Sequence, residues 1–292
     1  MKRVILSVMT LAIYFTGCAQ TKELLHQNMV LVEGGDFIMG TTSEVIDSLA
    51  NQYGFPKDFI SSEFPPHKVI ISSFYVDKFE VTNADYKRFL DSNPLWRKEN
   101  LPDSLDNGNY LKHWENNLYP GGEEMFPVIN INWYAAVAYC KCKNKRLPTE
   151  AEWEYVARNR GDIRTYPWGN EQPDSLKANF LNPVGNAIDV GSYPPNELGV
   201  YDLAGNVWEY TLDSWSSDYY LKSPEANPVN GNKYYDGIDF FKIKSRRIIR
   251  GGSWGGAAIN LRTRFRDSHP PVGSGNHVGF RCVQDLTTSN NK

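Results

Sequence analysis

The chain has 292 residues, a formal net charge of -3 and 41% hydrophobic residues. This length suits one large domain or two small ones. The near balance of charge gives no reason to expect nucleic-acid binding, which needs clustered positive charge, and the apolar content is too high for a disordered chain. Aromatic residues reach 13% beside 23 glycines and 17 prolines, a composition typical of loops held by large rings rather than of a helical bundle.

The N-terminal residues have the pattern of an export signal. A short basic head precedes an apolar run at residues 4–15, too short for a bilayer span of about 20 residues. Small residues then lead into Cys18, which resembles a bacterial lipobox, where the cysteine becomes the lipidated first residue. We predict a lipoprotein signal peptide over 1–17 and a tether over 18–28. The alternative is an ordinary secreted protein in which Cys18 is incidental.

This export pattern predicts a place in the cell envelope. A lipid on Cys18 would anchor the protein to a membrane without spanning it. We therefore expect an outer-membrane lipoprotein that faces either the periplasm or the exterior. Its expected partners are outer-membrane or periplasmic proteins, and nucleic acid is not among them.

Local patterns predict short elements separated by long loops. The predicted strands cover residues 29–32, 37–40 and 68–76. The predicted helices cover residues 82–90, 133–140 and 148–155. Thr149 at a cap position, with Glu152 three residues later, forms a capping-box pattern. Segments 91–127 and 159–198 are rich in turn-forming residues and are predicted to be irregular.

Three further cysteines, Cys140, Cys142 and Cys282, suit an exported protein, in which one pair is expected to oxidise. Two cysteines at i and i+2 rarely bridge each other without strain, so Cys282 is expected to pair with one of the other two. A metal site at the Cys-x-Cys pair is the alternative. It is disfavoured because the five histidines show no matching ligand spacing.

Two further patterns leave alternatives open. Arg262, Arg264 and Arg266 alternate and could form a basic stripe on a strand, but we favour pairing with buried acids or stacking on rings. The aromatic-rich segment 215–235 could supply a contact surface, since Tyr and Trp are enriched at interfaces, or it could pack on its own domain.

Several segments, in the same order along the chain, resemble the formylglycine-generating enzyme (sulfatase-modifying factor) family. They are GGDFIMG at 34–40, FEVTNADY at 79–86, PVININW at 127–133, the stretch 136–170 with KRLPTEAEWE, GVYDLAGNVWE at 199–209, RGGSW at 250–254 and GFRC at 279–282. The resemblance implies one α+β domain over residues 29–283, related to C-type lectins and poor in regular secondary structure, before a polar tail at 284–292. It also implies a disulfide between Cys140 and Cys282, which leaves Cys142 as the odd thiol.

The resemblance further implies bound calcium. The family's Tyr-Asn/Asp-x-x-Gly-Asn-x-Trp-Glu segment supplies the ligands of one site, and the matching residues are Asp202 and Glu209 through side chains and Gly205 and Val207 through carbonyls. Hard oxygen ligands on a turn suit calcium. The alternative is that Asp202 caps a turn and Glu209 is a surface acid. A second family site begins at Asn179 and the carbonyl of Phe180, and its other ligands fall in a shortened loop near Asn186 and Ile188.

The sequence departs from the family where the enzymes bind copper(I). They use two thiols shortly after Arg-Gly-Gly-Ser-aromatic, because soft copper(I) prefers thiolates. The corresponding positions are Gly256 and Leu261, so copper is not expected and no catalytic residue is assigned. A related iron-dependent branch uses histidines of an added domain, and this chain has no His-x-x-x-His. Ser253 lies in Gly-Gly-Ser-Trp, which the resemblance identifies as a structural signature of the family, so a hydrolase is also disfavoured.

These observations favour a lipid-anchored, non-catalytic domain that acts as a structural or binding component at the outer membrane. Such a chain is similar to lipoproteins of gliding motility and type IX secretion, which use this fold as a structural ring component. One alternative is a sulfatase-modifying oxidase, or another metal-dependent enzyme that uses the same cleft. The other is a carbohydrate-binding protein, suggested by the lectin-like fold and the aromatic residues.

Overall fold

The structure is a computed structural model that describes residues 28–235 and 238–286. The predicted signal peptide, Cys18 and the tether up to residue 27 lie outside this part of the chain, as do residues 287–292 of the polar tail. Among the described residues, no helix combines the length and the apolar character that crossing a membrane requires.

Each α-helix in the described part of the chain begins at a side-chain cap. The helices are α1 (Ser43–Tyr53), α2 (Asn83–Ser92), α3 (Trp133–Cys142) and α4 (Glu150–Ala157). In every case the side-chain oxygen of the cap residue accepts a hydrogen bond from a backbone N–H of the first turn; the cap residues are Thr42, Thr82, Asn132 and Thr149. The capping box predicted at Thr149 and Glu152 is present. The three helices predicted from the sequence are therefore confirmed as α2, α3 and α4.

In the part of the chain that the structure describes, short strands form three sheets. The strands are β1 (Met29–Val32), β2 (Gly35–Met39), β3 (His67–Ile71), β4 (Phe74–Asp77), β5 (Trp208–Ser214), β6 (Arg247–Arg250), β7 (Asp267–His269), β8 (Val278–Gly279) and β9 (Val283–Asp285). The sheets have the orders β1-β4-β9, β2-β3 and β7-β6-β5-β8. The pairing is antiparallel except between β5 and β8. Short strands with separate helices and long loops form the predicted α+β fold, in one domain.

The predicted strand 68–76 is divided into two strands, β3 and β4. Their pairing partners, β2 and β1, are consecutive in the chain and are separated by a break opposite the one between β3 and β4. Val32 in β1 and Phe37 in β2 are both buried although they are five residues apart. In one continuous strand, residues five positions apart would point to opposite faces. The buried face must therefore change between β1 and β2. Gly34 lies at this change, where a Cβ would stand 2.4 Å from the carbonyl oxygen of Ile71. The close approach of the two backbones requires a glycine there.

A disulfide joins the end of α3 to the start of β9. Cys140 and Cys282 form it, with their Cα atoms 5.8 Å apart, so the pairing implied by the family resemblance is confirmed. Cys142 is buried outside the bridge, and the side-chain nitrogen of Asn93 lies 3.5 Å from its sulfur. The bridge joins residues 142 positions apart and restricts the unfolded chain, which stabilises the fold by about 2–4 kcal/mol.

Helix α4 is buried along its whole length, including its three glutamates. Glu150 accepts from Arg266 at 2.6 Å and from Arg250 at 3.2 Å. Glu154 accepts from Arg250 at 2.7 Å and from Arg158 at 3.0 Å. Burial opposes ionisation of Glu154, but Arg250 and Arg158 outweigh it and lower the pKa of this carboxyl. The helix is thus tied to its neighbours by charge-assisted hydrogen bonds.

Other buried ion pairs join distant segments in the same way. They are Arg146–Glu152, Arg262–Glu63 and Arg281–Glu209, each with a shortest distance of 2.6 Å. The preferred interpretation of the alternating arginines is therefore confirmed for Arg262 and Arg266. Arg264 instead donates to the carbonyl oxygens of Gly40 and Arg164.

Segment 215–235 packs largely on its own domain. Tyr219, Tyr220 and Tyr235 are buried, and Tyr234 is exposed. Arg266 lies over the ring of Tyr220, 4.1 Å from its centroid. Most of these rings therefore stabilise the domain rather than offer a contact surface.

Breaking a buried ion pair should lower the stability of the protein much more than breaking an exposed one. Replacing Arg250 with Met leaves Glu150 and Glu154 without a shared buried partner, and the free energy of unfolding should fall by about 3–5 kcal/mol. Urea denaturation measures this change. The control is Lys222→Met, which breaks an exposed pair with Asp218 and should leave the urea midpoint almost unchanged. Equal, small effects of the two substitutions would contradict a structural role for the buried network.

Candidate functional site

The turn before β5 is built from left-handed residues that allow two loops to meet. Asp202, Gly205 and Asn206 have φ values of 55°, 84° and 57°. A Cβ on Gly205 would lie 2.4 Å from the carbonyl oxygen of Asn179, so only glycine permits this approach. The backbone N–H of Asn206 donates to the same oxygen at 3.0 Å. The structure therefore brings the two segments predicted to bind calcium side by side.

Asp202 lies beside a second buried acid, Glu80, which the sequence analysis did not single out. Asp202 accepts from the backbone N–H of Gly191 at 2.6 Å, and Glu80 accepts from the side chain of Asn206 at 3.2 Å. The other carboxyl oxygen of Glu80 is buried and has no hydrogen-bond partner. Burial raises the pKa of both carboxyls, and the charge of Asp202 raises that of Glu80 further. A proton or a cation would relieve this pair.

Glu209 is placed differently from Asp202. It is fully buried, so the alternative of a surface acid is wrong for this residue. Its oxygens accept from Arg281 at 2.6 and 2.7 Å and from the indole nitrogen of Trp153 at 2.9 Å. Glu209 is therefore an ion-pair partner of Arg281 in this structure, and its part in calcium binding stays a prediction.

Asn179 and the loop after it form the second group of oxygens. The side-chain nitrogen of Asn179 donates to the carbonyl of Asn186 at 3.0 Å, and its side-chain oxygen is buried without a partner. The backbone N–H of Ile188 donates to Asn206 at 3.0 Å, which draws this loop to the same turn. Phe180 is buried beside Leu261. An unpartnered hard oxygen among carbonyls is suited to a cation such as calcium.

The donor set limits what these groups can bind. Among the described residues, no cluster of three or more His, Cys, Asp or Glu side chains could hold a metal ion. A calcium site at this turn would therefore depend on carbonyl and amide oxygens together with the acids Asp202 and Glu80. These residues fit calcium by chemical type.

The positions of the family's copper thiols carry no soft ligand. Gly256 has no side chain, and its backbone bonds to Ser253 and Leu181. Leu261 is completely buried and packs with Tyr166 and Ala204. Neither residue fits copper(I), which requires thiolate or thioether donors.

An exposed apolar rim lies next to this loop and consists of Leu181, Val184 and the half-buried Trp254. Leu181 is 64% exposed and has a φ of 59°, a costly conformation for a bulky residue. Two backbone hydrogen bonds hold it there, from Leu181 to Gly256 and from Asn182 to Trp254. The fold thus keeps a strained backbone that displays an apolar side chain, and such strain is concentrated at functional surfaces.

Comparisons with known proteins agree with the motifs. The sulfatase-modifying factor enzyme 1-like domain matches residues 15–286. Mouse formylglycine-generating enzyme is 31% identical over 90% of this chain and 77% of its own length. Bovine inactive C-alpha-formylglycine-generating enzyme 2 is 30% identical over 88% of this chain and 87% of its own.

Two further comparisons show the extent of the similarity. Serine/threonine-protein kinase pkn1 of Chlamydia pneumoniae is 32% identical over 88% of this chain, but this chain spans only 38% of that protein's length. The structure of PvdO from Pseudomonas aeruginosa matches with a TM-score of 0.66 and 25% identity, over 88% of this chain and 94% of PvdO. The domain therefore occurs both as most of a protein and as a part of a larger one.

Proposed function

The chain belongs to the sulfatase-modifying factor enzyme 1-like domain family, and we propose that it is a non-catalytic member. The observation that carries this proposal is the donor set after Arg250, where Gly256 and Leu261 offer no sulfur. Cys140 and Cys282 are joined in the disulfide, and Cys142 lies in α3. A bovine relative bears a name that calls it inactive, so loss of activity has a precedent among the similar proteins.

We further propose that the domain is anchored to the outer membrane through a lipid on Cys18 and acts there as a structural or binding component. The lipobox-like N-terminus supports the anchor. The apolar rim of Leu181, Val184 and Trp254 supports a binding role. A partner that covers the rim would explain why the fold keeps a strained backbone and exposed apolar side chains there. The sequence resembles lipoproteins of type IX secretion and gliding motility, so we propose an envelope protein assembly as the partner.

The proposal predicts that loss of the lipid anchor and loss of the partner can be measured separately by membrane purification. Replacing Cys18 with Ser removes the lipid acceptor, so the protein should move from the membrane fraction to the soluble fraction. Replacing Leu181 with Asp should leave the protein in the membrane fraction but release it from its partner, because a charge on the rim opposes burial. The size of the complex after gentle detergent extraction reports the partner.

The matched control for the rim is Leu221→Asp, since Leu221 is 69% exposed and lies outside the rim. This control should keep the complex intact. A natural chain that extracts as a lone monomer would contradict the binding role. A Cys18→Ser protein that stays in the membrane fraction would contradict the anchor, whatever the result for Leu181.

We also propose that calcium binds the turn that contains Asp202, with Glu80 and the oxygens around Asn179 as neighbouring ligands. The buried Glu80–Asp202 pair supports this, because a divalent cation would neutralise two acids that now oppose each other. When bound, calcium would supply charge compensation and cross-link the loops. It would take no part in a reaction.

Calcium should therefore stabilise the protein in a pH-dependent manner. The raised pKa values of Glu80 and Asp202 mean that the calcium-free folded state holds more protons than the unfolded state above about pH 4. The contribution of this acid pair to stability without calcium should fall as the pH rises from there toward neutrality. Added calcium should raise the melting temperature more at neutral pH than at about pH 5, since it needs ionised carboxylates.

Asp202→Asn should remove most of the calcium-dependent shift, and Asp36→Asn is the control because Asp36 is an exposed acid on β2, outside the turn and the loop around Asn179. Differential scanning fluorimetry with calcium or a chelator measures both. An equal shift at the two pH values, or a full shift in Asp202→Asn, would contradict binding at this turn.

A further inference from the structure

A cavity of about 600 Å³ lies between α2, the end of α3 and the segment that joins β4 to α2. Apart from Glu80, its lining residues take no part in the functions proposed above. One side of the wall is mainly apolar and includes Met29, Phe79, Met125 and Val190. The volume is in the range of small-molecule sites, which combine apolar walls with a few polar groups that orient the ligand.

Tyr139 of α3 brings a hydroxyl without a partner to this cavity. The side chain is only 5% exposed, and its ring packs on Phe280 with the centroids 5.3 Å apart. Within the described part of the chain, no group forms a hydrogen bond with the hydroxyl. Burial raises the pKa of Tyr139 well above its usual value, and the charges of Asp85 and Asp77, which also line the cavity, raise it further. The hydroxyl therefore keeps its proton and is available as a donor.

Lys143 brings a positive charge to the same wall. It follows Tyr139 by four residues, and its Nζ lies 5.9 Å from the centroid of the Tyr139 ring. No acid among the described residues forms an ion pair with Lys143. The other two cations of the lining already have acid partners, in the pairs Lys145–Asp77 and Arg88–Asp85. The ammonium group of Lys143 is therefore the cation of this cavity that a ligand can use.

Glu80, the third acid of the lining, does not compensate this charge. Its carboxyl accepts a hydrogen bond from the side chain of Asn206 at 3.2 Å, in the turn proposed for calcium. Burial and the charge of Asp202 raise the pKa of Glu80 well above its usual value, which favours the uncharged form. An anion that enters the cavity thus meets one unpaired cation and no unpaired carboxylate.

We propose that this cavity binds one small organic carboxylate with an apolar body, such as an aryl or branched-chain acid. Its carboxylate would accept hydrogen bonds from the Tyr139 hydroxyl and the Lys143 ammonium group, and charge-assisted bonds of this kind are among the strongest that proteins form. The long, flexible stem of Lys143 allows its three donors to adjust to the ligand. The apolar body would pack against Met29, Phe79 and Met125. The inference is independent of the lipid anchor, the apolar rim and calcium.

The test is isothermal titration calorimetry of the full chain with phenylacetate and 4-methylpentanoate at neutral pH, with a chelator present so that calcium takes no part. One acid should bind per chain. Phenylacetamide has nearly the same shape without the charge, and it should bind about tenfold more weakly or worse. No saturable binding of either acid, or equal affinity for phenylacetate and phenylacetamide, would overturn the proposal.

Two variants assign the binding to the named groups. Lys143→Gln should weaken phenylacetate binding about tenfold or more, and Tyr139→Phe about threefold to tenfold. Tyr139→Phe should leave the melting temperature almost unchanged, because it removes no hydrogen bond within the described part of the protein. The control is Lys68→Gln, since Lys68 is an exposed residue of β3 outside the cavity. Unchanged affinity in both variants, or a Tyr139→Phe protein that loses stability but not affinity, would overturn the site.

Discussion

The buried ion pairs between arginines and glutamates are the constraint on which the rest of this structure depends. A charge removed from water is tolerated only when it is paired, so each buried glutamate of α4 fixes the position of an arginine from another segment. Arg250 and Arg262, both buried in such pairs, stand at the two ends of the loop that contains Gly256 and Leu261. The scaffold that shapes this loop is therefore intact, although the loop offers no thiol.

Much of the local structure could be predicted because its causes are local. The caps of Thr82 and Thr149 and the apolar spacing behind them specify α2 and α4. The division of the predicted strand 68–76 could not be predicted in this way. It depends on the contact between Gly34 and the backbone at Ile71, which the spacing of side chains does not reveal.

The same distinction applies to the candidate site. Family motifs indicated Asp202 and Asn179, and the structure places their loops together. Glu80 was missed because it lies 122 residues before Asp202. The pattern of its own segment does not predict that it is paired with a second buried acid. The pairing of Glu209 with Arg281 was also missed, since a motif gives a residue's position but not the charge that folds against it. Partners distant in the sequence set the electrostatics of this site.

The central claim is that the domain keeps the family scaffold without the copper chemistry. The most direct measurement incubates the copper-loaded full chain with a peptide that carries a sulfatase-type cysteine motif and follows that cysteine by mass spectrometry. A non-catalytic domain leaves the cysteine unchanged, and the Gly256→Cys/Leu261→Cys double variant should gain copper(I) binding that the natural chain lacks. Conversion of the peptide cysteine to an aldehyde by the natural chain would contradict the claim.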